Sequence, residues 1–420
     1  MLNARRLVLL TFFTAFAAPA VAEQWLLENA NLIDVEAGVV REQQFLHISD
    51  GRIKRISDQN PVDADGNFRR VDLAGAFVLP GLFDMHVHLA TDPSDKDALP
   101  LVRRKLEILI RQGVTGVRDM AGDVRQLAYL SRQSRLNEIP APDIYYSALM
   151  GGVSFFDDPR TQVSSKGVSS GQAPWMRAVS QNTNIDLAVA QAMGSGASGI
   201  KLYADLTPPL VAGVLNSAQK LGFPVWGHAA VIPAMPNDLV AHGINSVSHA
   251  PLLAWVAAEE PPTSGKQRYA DVDLNPQHPA FQQLLQDMVA NGVYLEPTLN
   301  VFRQHRPKAF QNGLIATAAA AQAGVLMIAG TDQNPNLDEP GYAPLVDEMV
   351  TLHTEAGVSR QAVLLAATVN AARLLGLDGE VGSVEEGKLA NLLIVEANPL
   401  QDLNHLRRVV QVYKNGMRIN

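Results

Sequence analysis

His86 and His88 stand two residues apart at the end of a short apolar run, Leu82-Phe83-Asp84-Met85-His86-Val87-His88. In a β-strand, residues i and i+2 project to the same face, so one strand can present both imidazoles to one metal ion. A lone pair of this kind is weak evidence. It gains weight from Lys201, His228, His249 and Asp332, each on or just after a further apolar run. Taken singly, each has a plain structural use: a hydrogen-bonded histidine, a lysine at a cavity mouth, an aspartate capping a helix. Taken together, residue type, order and position agree on a divalent-metal site. The chain has no cysteine, so the donors must be His, Asp, Glu or a modified Lys, and zinc is the default ion for such a set.

These residues need strands to carry them. Val114–Arg118, Ile144–Ala148, Gly199–Tyr203, Pro224–His228, Asn245–His249, Gly292–Glu296 and Val325–Ala329 follow the His86 strand as apolar runs. Helical stretches lie between them, among them Ala98 to Arg111, Asp186 to Ala197 and Pro209 to Leu221. Eight strands alternating with helices predict an α/β fold, a (β/α)8 TIM barrel whose C-terminal mouth collects the chemical groups. Strand-like segments at 24–79, with an Asp50-Gly51 hairpin signal, and near the other end (Gly387–Val395, Val409–Met417) predict a small β-sandwich domain built from both chain ends. The expected division is 23–79 and 377–420 for that domain and 80–376 for the barrel. Two long stretches, 150–175 and 259–278, read as irregular loops of the kind that form lids or binding loops.

Composition sets the outer limits. At 420 residues with 47% hydrophobic and 18% charged residues, the chain is globular. Its net charge of −8, with no basic tract, argues against nucleic acid as a partner. Arg5 and Arg6, the apolar stretch Leu7–Ala18 and the small residues of Ala20-Val21-Ala22 read as a signal peptide over residues 1–22, with Glu23 as the expected mature start. The expected location is the periplasm or the outside medium, without stable membrane insertion after cleavage. Without disulfides, size alone must supply the core.

Leu79 to His88, Gly113-Val114-Thr115-Gly116-Val117-Arg118-Asp119, Gly330-Thr331-Asp332, Ala367 to Gly376 and Gly387-Lys388-Leu389-Ala390 together resemble the amidohydrolase superfamily, in particular its dimetal imidazolonepropionase-like and Xaa-Pro-dipeptidase-like group. The resemblance implies that His86, His88 and Asp332 hold one metal and His228 and His249 a second, with Lys201 bridging both as an N-carboxylated lysine. It implies hydrolysis of an amide bond, in a peptide or N-acyl amino acid with an apolar part, by a metal-bridging hydroxide. Asp332 would be the proton shuttle. Apart from the resemblance, Tyr203 lies two residues after Lys201 on the same strand face and is a candidate substrate contact, with core packing as the alternative. The expected partner is this small-molecule amide, and a homo-oligomer is compatible with the pattern. An esterase, lactonase or organophosphate hydrolase on the same site is the alternative. A catalytically silent metal-dependent binding protein is a third reading, disfavoured because all six ligands are present. A mononuclear deaminase fits less well, because Lys201 fills the fourth-strand position and no His-x-x-Glu follows His228.

Other residues receive quieter expectations. Asp84 is inward by alternation and could orient a ligand. Arg118 and Asp119 are expected to form a structural ion pair, and His305 to sit in a solvated loop. Val153 follows Gly151-Gly152 where peptidase relatives often have histidine, and Ala230 stands where they have an aromatic or histidine. Both departures argue against a grip on a free carboxylate. They leave Val153, Phe155, Phe156, Trp226 and Trp255 as candidates for an apolar pocket.

Overall fold

A computed structural model describes residues 24–60, 68–91, 98–260 and 262–419. The signal-peptide reading and the start at Glu23 lie outside these residues. The two ends of the chain build one mixed sheet. Its order is Met417–Ile419, Val409–Lys414, Leu392–Val395, Phe77–Pro80, Trp25–Asp34, Val39–Ser49 and Arg52–Ser57, with Arg69–Asp72 also pairing with Trp25–Asp34. The Asp50-Gly51 turn has φ of 53° and 74°, the two positive angles that a two-residue hairpin requires. Leu27, Leu32, Leu46, Ile48, Val78, Leu392 and Ile394 fill this small core. Trp25 meets Tyr413 edge-on at 5.6 Å and so joins the first strand to the last hairpin. Only Leu392–Val395 of the expected Gly387–Val395 run is in the ladder. The stretch Val409–Met417 is a hairpin, turned at Asn415-Gly416, where φ is 48° and 71°.

The barrel follows in chain order. Leu82–Val87, Val114–Asp119, Asp143–Gly152, Gly199–Leu202, Val225–His228, Ser246–Ser248 and Tyr294–Glu296 pair in parallel, each with the next. Strands of three or four residues buried on both faces are normal for such a sheet, because helices cover it outside. Helix Ala98–Arg111 covers it with Val102, Leu106, Leu109 and Ile110. The expected eighth strand, Val325–Ala329, shrinks to an isolated bridge between Met327 and Leu295. Its backbone still bonds both neighbours: Leu295 N–H donates to Leu326 O and Ile328 N–H to Leu295 O on one side, and Met85 N–H donates to Ala329 O (2.9 Å) on the other.

The stretch 150–175 is more ordered than its composition suggests. The third strand runs on to Gly152 and pairs there with Met176–Val179, which itself pairs with Gln172–Ala173. Between them lie a 3-10 turn, Val153–Asp157, and a short helix, Pro159–Ser164, capped by the Asp158 side chain. Asp-Pro is a start signal for such a helix. Among the described residues of 259–278 lies a 3-10 turn, Gly265–Gln267, capped by Ser264. Among the described residues no helix is long and apolar enough to cross a membrane.

Candidate metal centre and its cleft

Four imidazoles and one carboxylate meet at the C-terminal mouth. One donor atom each from His86, His249 and Asp332 lie within 4.8 Å of one another. His88 Nε2 is 3.2 Å from Asp332 Oδ1, and His86 Nε2 is 3.6 Å from the same oxygen. The rings form a chain, with centroids of His88 and His86 5.2 Å apart, His86 and His249 5.0 Å, and His249 and His228 4.7 Å. The triad of His86, His249 and Asp332 draws members from both of the ligand sets expected from the sequence. Backbone geometry is unusual here: His249 and Asp332 have φ of 71° and 53°. Left-handed conformations in residues other than glycine cost on the order of 1–3 kcal/mol and gather at functional sites.

Hydrogen bonding fixes which ring nitrogen faces the mouth. His228 Nδ1 is 2.6 Å from Tyr203 O, an acceptor, so Nδ1 carries the proton. Thr298 gives its hydroxyl proton to Pro297 O and accepts from His249 Nδ1 at 2.7 Å. His86 Nδ1 donates to Glu296 Oε2 at 3.1 Å. Each ring therefore offers Nε2 as a lone-pair donor, the arrangement that metal-binding histidines use. Burial holds His86, and more strongly His228 and His249, below the ordinary imidazole value, which keeps them neutral. Burial opposes the charge on Asp332, but His86 and His88, when they carry a second proton, outweigh it and hold the carboxyl well below the usual range. A neutral three-histidine set beside an ionised carboxylate is donor chemistry that fits a divalent metal.

Beneath this layer lies a charged floor. Lys201 is fully buried and donates from Nζ to Ser248 Oγ at 3.1 Å, and Ser248 donates to Glu296 Oε2 at 2.5 Å. Burial brings the lysine down to about 7, so its neutral amine is accessible near neutral pH. Glu296 ends the seventh strand. Burial opposes its charge, but His86, through the hydrogen bond from its Nδ1, and the Arg118 guanidinium hold it down to about 2. Arg118 donates to Glu296 (3.1 Å), to Met85 O and to Ser246 Oγ, and lies 4.6 Å over the ring of Trp226. Gly330 makes room for this floor, since a Cβ there would stand 2.2 Å from Glu296 Oε1 and 2.8 Å from His86 Cβ. Asp84 accepts from the backbone of His86 and Thr331 and from the Thr331 hydroxyl, tying the first strand to the Asp332 loop.

Two cavities open on the centre. One, of about 600 Å3, is lined by His88, His228, His249 and Asp332 together with Arg160, Lys266, Arg268, Tyr269 and Arg306. The other, of about 280 Å3, has Ala121, Leu149, Phe155, Met176 and Val301 in its wall together with Thr91, Arg160, Thr161 and Ser164, and it shares His88 and Asp332 with the first. Tyr203 lies between them. Its ring stacks on Phe155 at 4.4 Å and meets His228 edge-on at 4.4 Å. Both long loops of the sequence reading contribute lining residues.

Several expectations change. The structural ion pair of Arg118 is with Glu296, not Asp119, because strand alternation sends the arginine inward and the aspartate to the mouth. There Asp119 accepts from the backbone of Leu89 and Ala121. Of the five residues expected to make an apolar pocket, only Phe155 lines either cavity. Val153 is 63% exposed, Trp226 is under Arg118, Phe156 packs behind Phe155, and Trp255 bonds Arg268 O through its Nε1. His305 is exposed, as expected. Glu296, Arg160, Arg268, Tyr269 and Arg306 were not legible as site residues. Glu296 alone carried a signal, an acid closing a short apolar strand.

Comparison with known proteins gives a consistent picture. The model of the amidohydrolase family matches residues 77–419. The imidazolonepropionase of Symbiobacterium thermophilum is 25% identical over 389 residues, covering 82% of this chain and 82% of that protein. A solved Xaa-Pro dipeptidase with bound methionine superposes with a TM-score of 0.73 at 23% identity, covering 95% of this chain and 100% of the other. Molinate hydrolase superposes with a TM-score of 0.75 at 17% identity, covering 96% and 95%.

Proposed function

Since the chain belongs to the amidohydrolase family and is a hydrolase acting on carbon–nitrogen bonds, we propose that it cleaves the amide bond of a peptide or N-acyl amino acid with an apolar part. The observation that carries this reading is the cluster of His86, His249 and Asp332 at the junction of two cavities, one rich in charged side chains and one that has Leu149, Phe155 and Met176 in its lining. His86, His88 and Asp332 would hold one divalent ion and His228 and His249 a second, with N-carboxylated Lys201 between them. Bound ions, zinc by donor type, supply Lewis acidity that polarises a carbonyl and acidifies water.

The chain's own groups do the rest. Asp332, ionised and at the mouth, takes the proton of the attacking water and returns it to the leaving amine. Tyr203 lines both cavities, and its hydroxyl would donate to the oxygen that gains charge. Phe155, Leu149 and Met176 exclude water around the apolar part of the substrate. Export is part of the proposal: residues 1–22 act as a leader, and the mature protein works in the periplasm or beyond it.

The test is a substrate panel on the metal-loaded protein, with metal content measured alongside. N-acyl amino acids and dipeptides should turn over faster than lactones and aryl phosphates. Turnover of lactones or phosphotriesters without amide hydrolysis would replace this reading with the esterase class. N-terminal sequencing of exported protein should begin near Glu23.

A further inference from the structure

We propose that Glu348 is a positioning residue for the metal centre. Through the backbone of Leu299 and Asn300 it holds Thr298 in the conformation that keeps His249 Nε2 free to bind an ion. This rests on the reading of His249 as a metal ligand and adds to it a group from a helix outside the mouth.

Of the three buried rings, His249 has the least secure tautomer. His228 Nδ1 faces a main-chain carbonyl, and His86 Nδ1 faces a carboxylate that Arg118 helps to keep ionised. Both partners can only accept. Thr298 presents a hydroxyl, which can accept or donate. It accepts from His249 Nδ1 at 2.7 Å while its own proton goes to Pro297 O at 2.8 Å. Turned round, the same hydroxyl would donate to Nδ1. The imidazole proton would then sit on Nε2, and the mouth would lose a lone pair.

Thr298 keeps its orientation from a strained backbone. Its φ of 48° is left-handed, an outlier for a β-branched residue, and such a conformation persists only where its surroundings over-determine it. Here the peptide groups on both sides are fixed. Ala250 N–H donates to Pro297 O at 3.1 Å and holds the one before Thr298. Glu348 holds the one after it, since Oε1 accepts from Leu299 N–H at 2.6 Å. Its Oε2 accepts from the next amide, Asn300 N–H, at 2.9 Å.

Glu348 lies on helix Pro344–Thr354 and has no exposed surface. Acceptance by both oxygens is the geometry of an ionised carboxyl. Burial nevertheless pushes the group up to about 8, against the pull of the two amides. An acid kept there at such a cost points to a use beyond filling space. Thr351, one turn further along the same helix face, meets Asn300 Oδ1 at 3.1 Å. That contact holds the loop without touching the peptide group that follows Thr298, so it serves as a control.

The experiment follows the His249 ring in the metal-free protein, labelled with nitrogen-15 at histidine, by long-range proton–nitrogen correlation. His249→Asn assigns the signal. The wild type should carry its proton on Nδ1. Glu348→Gln and Thr298→Ala should each shift the ring toward the other tautomer, and the double variant should add nothing further. Thr351→Val should leave the ring unchanged. Circular dichroism checks each fold, and Glu348→Met carries the test if Glu348→Gln does not fold. A second readout is zinc affinity, measured against a chromogenic chelator. It should fall about 10- to 100-fold in Glu348→Gln, the range for loss of an outer partner of a metal ligand. If the wild type binds no zinc, the metal reading falls alone and the tautomer decides the role of Glu348. A proton on Nε2 in the wild type, a proton kept on Nδ1 when Glu348 is replaced, or an equal shift in Thr351→Val overturns the proposal.

Discussion

Glu296 and Arg118 form an ion pair, Oε2 to Nη2 at 3.1 Å, in which neither side chain has any exposed surface. The same carboxylate oxygen accepts from His86 Nδ1 and from Ser248 Oγ. One group from the seventh strand therefore serves the first, second and sixth strands at once. Removing its charge leaves Arg118 buried without a counter-ion. Glu296→Gln should lower folding stability by about 3–5 kcal/mol, the usual cost of breaking a buried pair from one side. Denaturant unfolding measures this, and the double variant Glu296→Gln, Arg118→Met should recover part of the loss. Full additivity of the two substitutions would show that the pair is not coupled.

Lys201→Ala should lose most bound metal and most activity. Short carboxylic acids should restore part of both by replacing the carbamate oxygens. The checks are metal analysis and turnover with and without added acetate. A variant that keeps two metals and wild-type turnover would exclude a bridging role.

Asp332→Asn keeps an oxygen donor near His86 and His88 but cannot accept a proton. Removal of a general acid–base group costs about 10²–10⁴-fold in rate, and the loss should fall on kcat rather than KM. Steady-state kinetics with metal content checked in parallel decides. Near-normal kcat in a metal-replete variant would assign the proton to another group.

Protonation of the buried histidines sets an acid limit on the metal-free protein. His228 and His249 lie well below their ordinary value of 6.5 in the fold. As pH falls through about 6.5 the unfolded chain takes up protons that the folded chain cannot, so stability is lost below that pH and unaffected by these groups above it. Guanidinium midpoints at about pH 7.5 and about pH 5.5 should show the decline, and His228→Asn should reduce it. An equal decline in that variant would place the acid sensitivity elsewhere.

The positions of His86, His88, Lys201, His228, His249 and Asp332 were legible because each lies on or just after a short apolar run, and parallel strands deliver such residues to one mouth. The small sheet was legible from its alternation and from Asp50-Gly51. The role of Glu296 was not, because its partners lie on three other strands and meet it only when the ring is complete. Arg268 and Arg306 lie in segments without a period, and nothing in a linear sequence shows that Tyr269 brings them together. The eighth strand was read as regular because its composition suits one. In the fold, most of its backbone bonds run outside any ladder.

That thin eighth strand makes the mouth a seam. On its first-strand side the ring is shut by the amides of Met85 and Asp332, which donate to Ala329 O and His86 O. Asp84, reaching across to Thr331, is the stitch beside them. The side chains of His86, His88 and Asp332 straddle this joint. Any ligand that bridges them also clasps the barrel closed, and stripping it should speed amide exchange at Met85 and Asp332 before the other strands respond. Wear in the scaffold and loss of chemistry would begin at the same two residues.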